Sequence, residues 1–419
     1  MSAPGPVSSG ADLLDLRVVE VASYVAGPSA GMTLAQLGAD VLRIDPPGGA
    51  ADRTRWPLAP DGSSLYWASL NRGKRSVVVD VGRPAGRELV LALASVGGPE
   101  GGVLIDNLAR ADWLSLEAVL ATRPDLVHLR VLGRPDGSPS LDYTANAAAG
   151  VPMMTGPVAS SAPVNHVLPA WDLLTGQYVV VALLAALARR TRTGEGADLT
   201  VSLDEVALAG VANLGWAAHA DLVGHDRARY GNHVYGSYGT DFETADGRRV
   251  MVTAMGSRQW DGLCRATGTG ETFASLGRSL GLDLTSDESR FAAREIITAV
   301  LRPWFAARTL LEVGALLDEV RALWGPYRTM TEAVARQLEQ QGSDPRDDLL
   351  TRVEQSGVGP MVSAAFPVRG LDPLPGPRPA PVLGADTADV LADVLGLTGS
   401  EIGRLVADGV VETPTYAPA

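Results

Sequence analysis

The stretch Leu16–Asp45, LRVVEVASYVAGPSAGMTLAQLGADVLRID, decides the fold. LRVVEVA is rich in β-branched residues, which favours a strand. SAGMTLAQLGA carries apolar residues at helical spacing and stops at Gly38, and VLRID is a second strand. Strand, helix and strand in so short a span make a β-α-β unit, which implies a parallel sheet. Outward from it, SVVVDV (76–81), GVLID (102–106) and LVHLRVL (126–132) are further buried strands. Helical stretches lie between them, around Glu88–Ala94 and Leu114–Ala121. This alternation predicts an α/β fold with a doubly wound sheet.

Farther on, Leu173–Arg190 and Leu203–Ala220 are long helices, apolar nearly all round. Such helices are buried between layers or in a subunit interface. Gly224–Gly236 has the character of a linker. FETADGRRVMVTAM then predicts a hairpin turning at Asp246-Gly247. The segment from there to about Leu323 is expected to form a second, smaller α/β domain.

With 419 residues, 46% of them hydrophobic, the chain can bury a sizeable core. Its net charge of −13 and its lack of a long Lys/Arg block argue against nucleic acid as a partner. Cys264 is the only cysteine, so neither an internal disulfide nor a thiolate metal site can form. The first 12 residues lack the basic flank and apolar core of a signal peptide. The longest apolar run, Tyr178–Ala188, is about eleven residues, against roughly 20 for a membrane span. A soluble, cytoplasmic protein with no membrane partner is expected.

The turn in the first unit reads AGPSAG, not G-x-G-x-x-G, and Pro28 lacks a backbone donor, so the usual dinucleotide cradle is missing. The start of the helix can still receive part of an anionic ligand. LNRGKRS (70–76) crowds Asn71, Arg72, Lys74 and Arg75 into one turn. It is either a solvated turn or a binding loop for a phosphorylated ligand. His128, His166, His219, His225 and His233 show no zinc spacing, so no metal is expected. There is no G-x-S-x-G elbow of a serine hydrolase.

The chemistry concentrates at PAWDLLTG (169–176), where a single carboxylate, Asp172, stands before an apolar helix. Asp is a favoured N-cap, and a carboxylate at a helix start is held ionised by the macrodipole. An ionised, positioned carboxylate is also a competent acyl acceptor. Gly176, one turn later, allows a backbone or a substrate to approach closely.

Several segments together resemble the family III CoA-transferases. They are 21–45, SLYWASLNRGKRSVVVDV (64–81), VLIDNLARADWL (103–114), LDYTANAAAGVPMMTG (141–156), the 171–203 segment and APVLGADTADVLADVLGL (380–397). They keep the family's order and cover nearly the whole chain. The resemblance implies an α/β fold with a Rossmann-like large domain from both chain ends (1–223 and 324–419), an inserted small domain (224–323) and an interlocked homodimer. It implies an acyl-CoA ligand, with CoA as part of substrate and product and no tightly bound cofactor. Asp172 falls on the nucleophile. CoA contacts fall on Tyr24, Val25, Ala26, Asn71, Lys74, Arg75 and Asn107. An Arg that some members place after the second strand is replaced here by Pro46 and Pro47, with Arg53, Arg55 or Arg75 as substitutes. The racemase members need a His where this chain has Leu141, and a Glu where MGSRQW stands, so a two-base proton swap is disfavoured.

Within the family, GRPDGS (133–138), VNHVLPAWD (164–172) and YGNHVYGSYGTDFET (230–244) resemble the subgroup that moves CoA between the C1 and C4 carboxyls of 2-methylfumarate. By that analogy Gly236, Tyr238 and Gly239 supply an oxyanion hole or clamp, and His166 and Arg134 are further clamp candidates. Transfer between an acyl-CoA and a separate free acid is the alternative.

Overall fold

The computed structural model describes residues 14–98, 101–108, 112–340, 342, 348–371 and 374–414, so the first 12 residues lie outside them. The strands are β1 (Arg17–Val21), β2 (Asp40–Asp45), β3 (Arg75–Val79), β4 (Val103–Asp106), β5 (Val127–Leu132), β6 (Ala197–Ser202), β7 (Tyr238–Glu243), β8 (Arg249–Ala254), β9 (Leu323–Pro326), β10 (Leu350–Gln355), β11 (Gly359–Ala364) and β12 (Val411–Glu412). The helices that frame the site are α1 (Ala26–Gln36), α2 (Leu65–Asn71), α3 (Pro84–Ser95), α4 (Leu116–Thr122), α5 (Asp142–Ala148), α6 (Val151–Met154), α7 (Ala170–Thr193), α8 (Leu203–Asn213) and α9 (Trp216–Val223).

Seven strands make one sheet in the order β12-β3-β2-β1-β4-β5-β6. All neighbours are parallel except β12, which runs antiparallel to β3. Strands β1 to β6 therefore follow the doubly wound order 3-2-1-4-5-6, which reverses between β1 and β4. Alternation along β1 builds the two layers. Val18 packs with Leu34 of α1, Val179 and Leu183 of α7 and Ala207 of α8. Val19, on the other face, packs with Val90 and Leu93 of α3, Val119 of α4 and Val390 near the C-terminus. Both faces are covered, which is why these strands read as continuous apolar runs.

The described residues divide into two compact units, one of 14–149, 166–214 and 337–414, the other of 150–165 and 215–336. These limits differ from the anticipated 223/224 and 323/324. The helix expected over Leu203–Ala220 breaks at Gly215, whose φ of +75° cannot continue a right-handed helix. Leu323–Pro326 pairs with β8 and so extends the second unit. Residues 150–165 join that unit because the Arg229 guanidinium donates to the carbonyls of Met153 (2.7 Å), Ser160 (2.9 Å) and Ala162 (2.5 Å). In the second unit the predicted hairpin forms as β7–β8, and its core gathers Tyr238, Phe242, Trp260, Phe273 and Phe305.

Helix α7 runs over 24 residues, with a mean hydropathy of 1.6 in its most apolar window, so by length and composition it could cross a membrane. Its Val179–Leu183–Ala186 face instead lies in the sheet core. Its opposite face leaves Leu174, Tyr178, Val181 and Leu184 exposed.

Candidate active site

A doubly wound sheet offers its ligand crevice beyond the carboxyl ends of the strands, where the order reverses. Here that is the end of β1 and β4. Asn107, one residue past β4, accepts the Ser23 N–H at 3.1 Å and donates to the Ser23 carbonyl at 2.8 Å. It holds the β1–α1 turn from beneath. Tyr24 lies in that turn with φ +70°, a conformation that costs a non-glycine residue free energy. Asp52 stabilises it by accepting the Tyr24 N–H at 2.8 Å. Val25 and Ala26 are buried, so of this trio only Tyr24 presents a side chain to solvent.

Below the turn lies a charge cluster absent from the expectations. Glu20, Arg43, Asp45, Asp52, Asn71 and Lys74 are all buried. Arg43 donates to Asp45 (2.9 Å), Asn71 (3.1 Å) and both oxygens of Asp52 (3.3 Å). Lys74 Nζ donates to Glu20 (2.8 Å), the Pro28 carbonyl (2.9 Å) and Asn71 (2.9 Å). Burial pushes the Lys74 ammonium down to about 8, with Glu20 resisting the fall. This corrects the LNRGKRS expectation: the polar ends of Asn71 and Lys74 are spent inside the protein rather than offered to a phosphate. Arg75 remains partly exposed and lies 3.6 Å from Asp40 and 3.9 Å from Asp386.

The start of α7 also departs from expectation. The helix begins at Ala170 with Pro169 as N-cap, so Asp172 sits at the third helical position and does not cap it. The cap comes from α5. The buried Asp142 accepts the N–H of Trp171 at 2.7 Å and of Asp172 at 3.2 Å through one oxygen, and pairs with His166 Nε2 at 2.9 Å through the other. One turn along α5, Asn146 accepts the Trp171 indole N–H at 3.0 Å. Two buried acceptors four residues apart on one helix thus hold the first turn of another, Asp142 through its orphan backbone donors and Asn146 through the Trp171 side chain. The D-x-x-x-N spacing of Asp142 and Asn146 was visible in the sequence, but nothing local says which helix end it serves.

Freed from capping, the Asp172 carboxyl is partly buried. Burial, and then the charge of Asp142, push it up to about 7, against an opposing pull from Arg55. This corrects the view that the helix start holds it firmly ionised. Gly176 behaves as anticipated, and the close neighbours are a side chain and the backbone of α1. A Cβ there would lie 2.1 Å from Ser29 Oγ and 2.9 Å from the Ala26 carbonyl, so α7 meets α1 in close contact. The nucleophile candidate is thereby set beside the turn that carries Tyr24.

The remaining candidates divide. Arg134 pairs with Asp204 at 3.0 Å. Tyr238 is fully buried, its hydroxyl 3.1 Å from Thr298 Oγ1, so it is a core side chain of the second unit and not a clamp. Gly236, with φ +75°, and Gly239, in β7, belong to that unit too, and between them Ser237 donates to Asp287. Leu141 is exposed and offers no proton-transfer group.

A doubly wound sheet carrying an aspartate beside its switch point has clear relatives. The model of CoA-transferase family III matches residues 13–387, and the chain belongs to that family. It is 46% identical to the 2-methylfumaryl-CoA isomerase of Chloroflexus aurantiacus, over 96% of this chain and 98% of that one. It is 29% identical to the succinyl-CoA:mesaconate CoA-transferase of Haloarcula hispanica, over 94% and 98%. Among solved structures, a CaiB/BaiF family protein from Brucella suis superposes with a TM-score of 0.73 at 27% identity, over 91% of this chain and 98% of that one. The chain is therefore an enzyme of acyl-CoA chemistry with a mixed α/β fold.

Proposed function

We propose that this enzyme moves CoA between the C1 and C4 carboxyls of 2-methylfumarate, with Asp172 as the acyl acceptor. The similarity to the Chloroflexus isomerase along nearly the whole of both chains carries the substrate assignment. The Asp172 environment supports the role. Its backbone is fixed by Asp142, its carboxylate is left without a capping duty, and it neighbours the β1–α1 turn. A carboxyl raised to about 7 is about half ionised at neutral pH, and its ionised form is less stabilised than one in water and so more reactive.

In this reading Asp172 attacks the C1 thioester carbonyl and CoA leaves as thiolate, giving a mixed anhydride. The thiolate attacks the aspartyl carbonyl and releases mesaconate, leaving an aspartyl-CoA thioester. The C4 carboxylate then attacks that thioester, and the steps reverse to give the C4 ester. The tetrahedral oxyanions of these steps call for backbone N–H donors beside Asp172. The exposed apolar face of α7, with Leu208 and Leu214 of the following segment, supports the interlocked dimer as the working assembly.

Incubation with 2-methylfumaryl-C1-CoA, with chromatographic separation of C1 and C4 esters, tests the reading. Conversion without added acid is expected, and Asp172→Ala should abolish it while CoA binding survives. Turnover that waits for an added free acid would instead support intermolecular transfer, the activity named for the Haloarcula relative.

A further inference from the structure

Arg55 lies against Tyr24 of the β1–α1 turn. Arg17, Arg43, Arg75, Arg83, Arg123 and Arg134 each lie within ion-pair distance of a carboxylate. Arg55 forms no ion pair among the described residues and is exposed. It is nevertheless held in place. Its guanidinium carbon lies 5.2 Å from the centre of the Tyr66 ring and 5.8 Å from that of Tyr24. Its carbonyl accepts the Ser64 hydroxyl at 2.6 Å, and Ser64 also caps α2, which carries Tyr66. Its N–H donates to the Asp52 carbonyl at 3.1 Å, and the Asp52 side chain fixes Tyr24. Two aromatic residues from separate elements are thus tied to Arg55 through its own backbone. Among cations, Arg55 is the one whose field acts on Asp172. Arg53, two residues earlier, instead packs over Gly49 and lines a separate cleft with Trp67 and Val382.

A guanidinium resting against aromatic rings keeps its N–H edge free for a planar anion. Such an edge beside an acyl-accepting carboxylate fits one class of substrate, a short dicarboxylic acid with one carboxyl esterified to CoA and the other ionised. We propose that Arg55 is the specificity residue of the Asp172 site, clamping the free carboxylate while the thioester carbonyl faces Asp172. The inference rests on the function proposed above. The pairing also lets the two carboxyls of the acid exchange places, since each in turn can occupy the Arg55 edge.

The experiment compares wild type, Arg55→Gln and Arg55→Lys on 2-methylfumaryl-C1-CoA and on crotonyl-CoA, which lacks the second carboxyl. The readout is the rate of acylation of Asp172 in a single turnover, followed by mass spectrometry. It is run near pH 8.5 so that Asp172 is ionised throughout. Arg55→Gln should slow acylation by the dicarboxylic thioester about 10- to 150-fold, the range expected for a charge-assisted bond. Crotonyl-CoA should stay within about threefold of wild type. Arg55→Lys, which keeps the charge but not the fork, should fall between for the dicarboxylic thioester. Equal loss on both thioesters, or no loss on either, overturns the clamp. A wild-type enzyme that forms no Asp172 adduct with either thioester overturns the nucleophile assignment instead, and that result is read without reference to the variants.

Discussion

Asp172 should weaken the fold that carries it, and the size of the effect follows from its surroundings. Burial and Asp142 raise its pKa from 3.8 to about 7. A carboxyl raised on folding favours the native state below its unfolded pKa and loses that contribution as pH climbs through its folded value. Each pH unit between 3.8 and about 7 removes about 1.4 kcal/mol, so the ionised form above pH 7 costs the fold up to about 4 kcal/mol. Asp172→Asn keeps the shape and discards the charge. At pH 8 the variant should resist urea better than wild type, by up to about 4 kcal/mol when both are measured at one protein concentration. The gap should shrink to about 2 kcal/mol at pH 5 and to below about 1 kcal/mol at pH 4. With Asp172 as the proposed acyl acceptor the same proton would govern chemistry, so the acid limb of kcat/KM in wild type should fall near pH 7. A stability gap that is absent at pH 8, or equal at pH 5 and pH 8, would refute the reasoning.

Two further outcomes test the reassigned residues. Lys74→Met leaves Arg43 alone with three buried carboxylates and should cost about 3–5 kcal/mol in urea unfolding, whereas a surface phosphate ligand would raise KM at unchanged stability. Tyr238→Phe should lose about 1 kcal/mol with the Thr298 bond, while kcat and KM for the thioester stay within about twofold; a fall in kcat would restore Tyr238 as a clamp.

What could be foreseen from the sequence and what could not divide along physical lines. The β-α-β unit at Leu16–Asp45 was legible because both faces of its strands are covered, which leaves a continuous apolar signal. Gly176 was legible as a point of close approach because glycine inside an apolar helix has few other uses. The capping of α7 was not, because its acceptor, Asp142, comes from 30 residues upstream and local rules see only Pro169 and Asp172. Lys74 and Tyr238 misled for one reason: residue type suggests what a polar end can bind, and only burial shows whether that end is already engaged. Arg55 stood among three arginines of equal standing until the two tyrosine rings separated it from Arg53 and Arg75.

Helix α7 is secured at both ends. Asp142 holds the N–H groups of Trp171 and Asp172, and some 18 residues later the buried Arg190 donates to the carbonyls of Gly101 (2.9 Å) and Gly102 (3.1 Å), beside the start of β4. Between them Gly176 rests against α1. A rod of about 36 Å fastened in three places can neither slide nor roll to meet a second carboxyl. In a reaction that must address both ends of one small acid, the acceptor is then the stationary part, and the acid has to somersault within the pocket. The turnover rate of such an enzyme would record the tumbling of a five-carbon guest rather than the movement of its host.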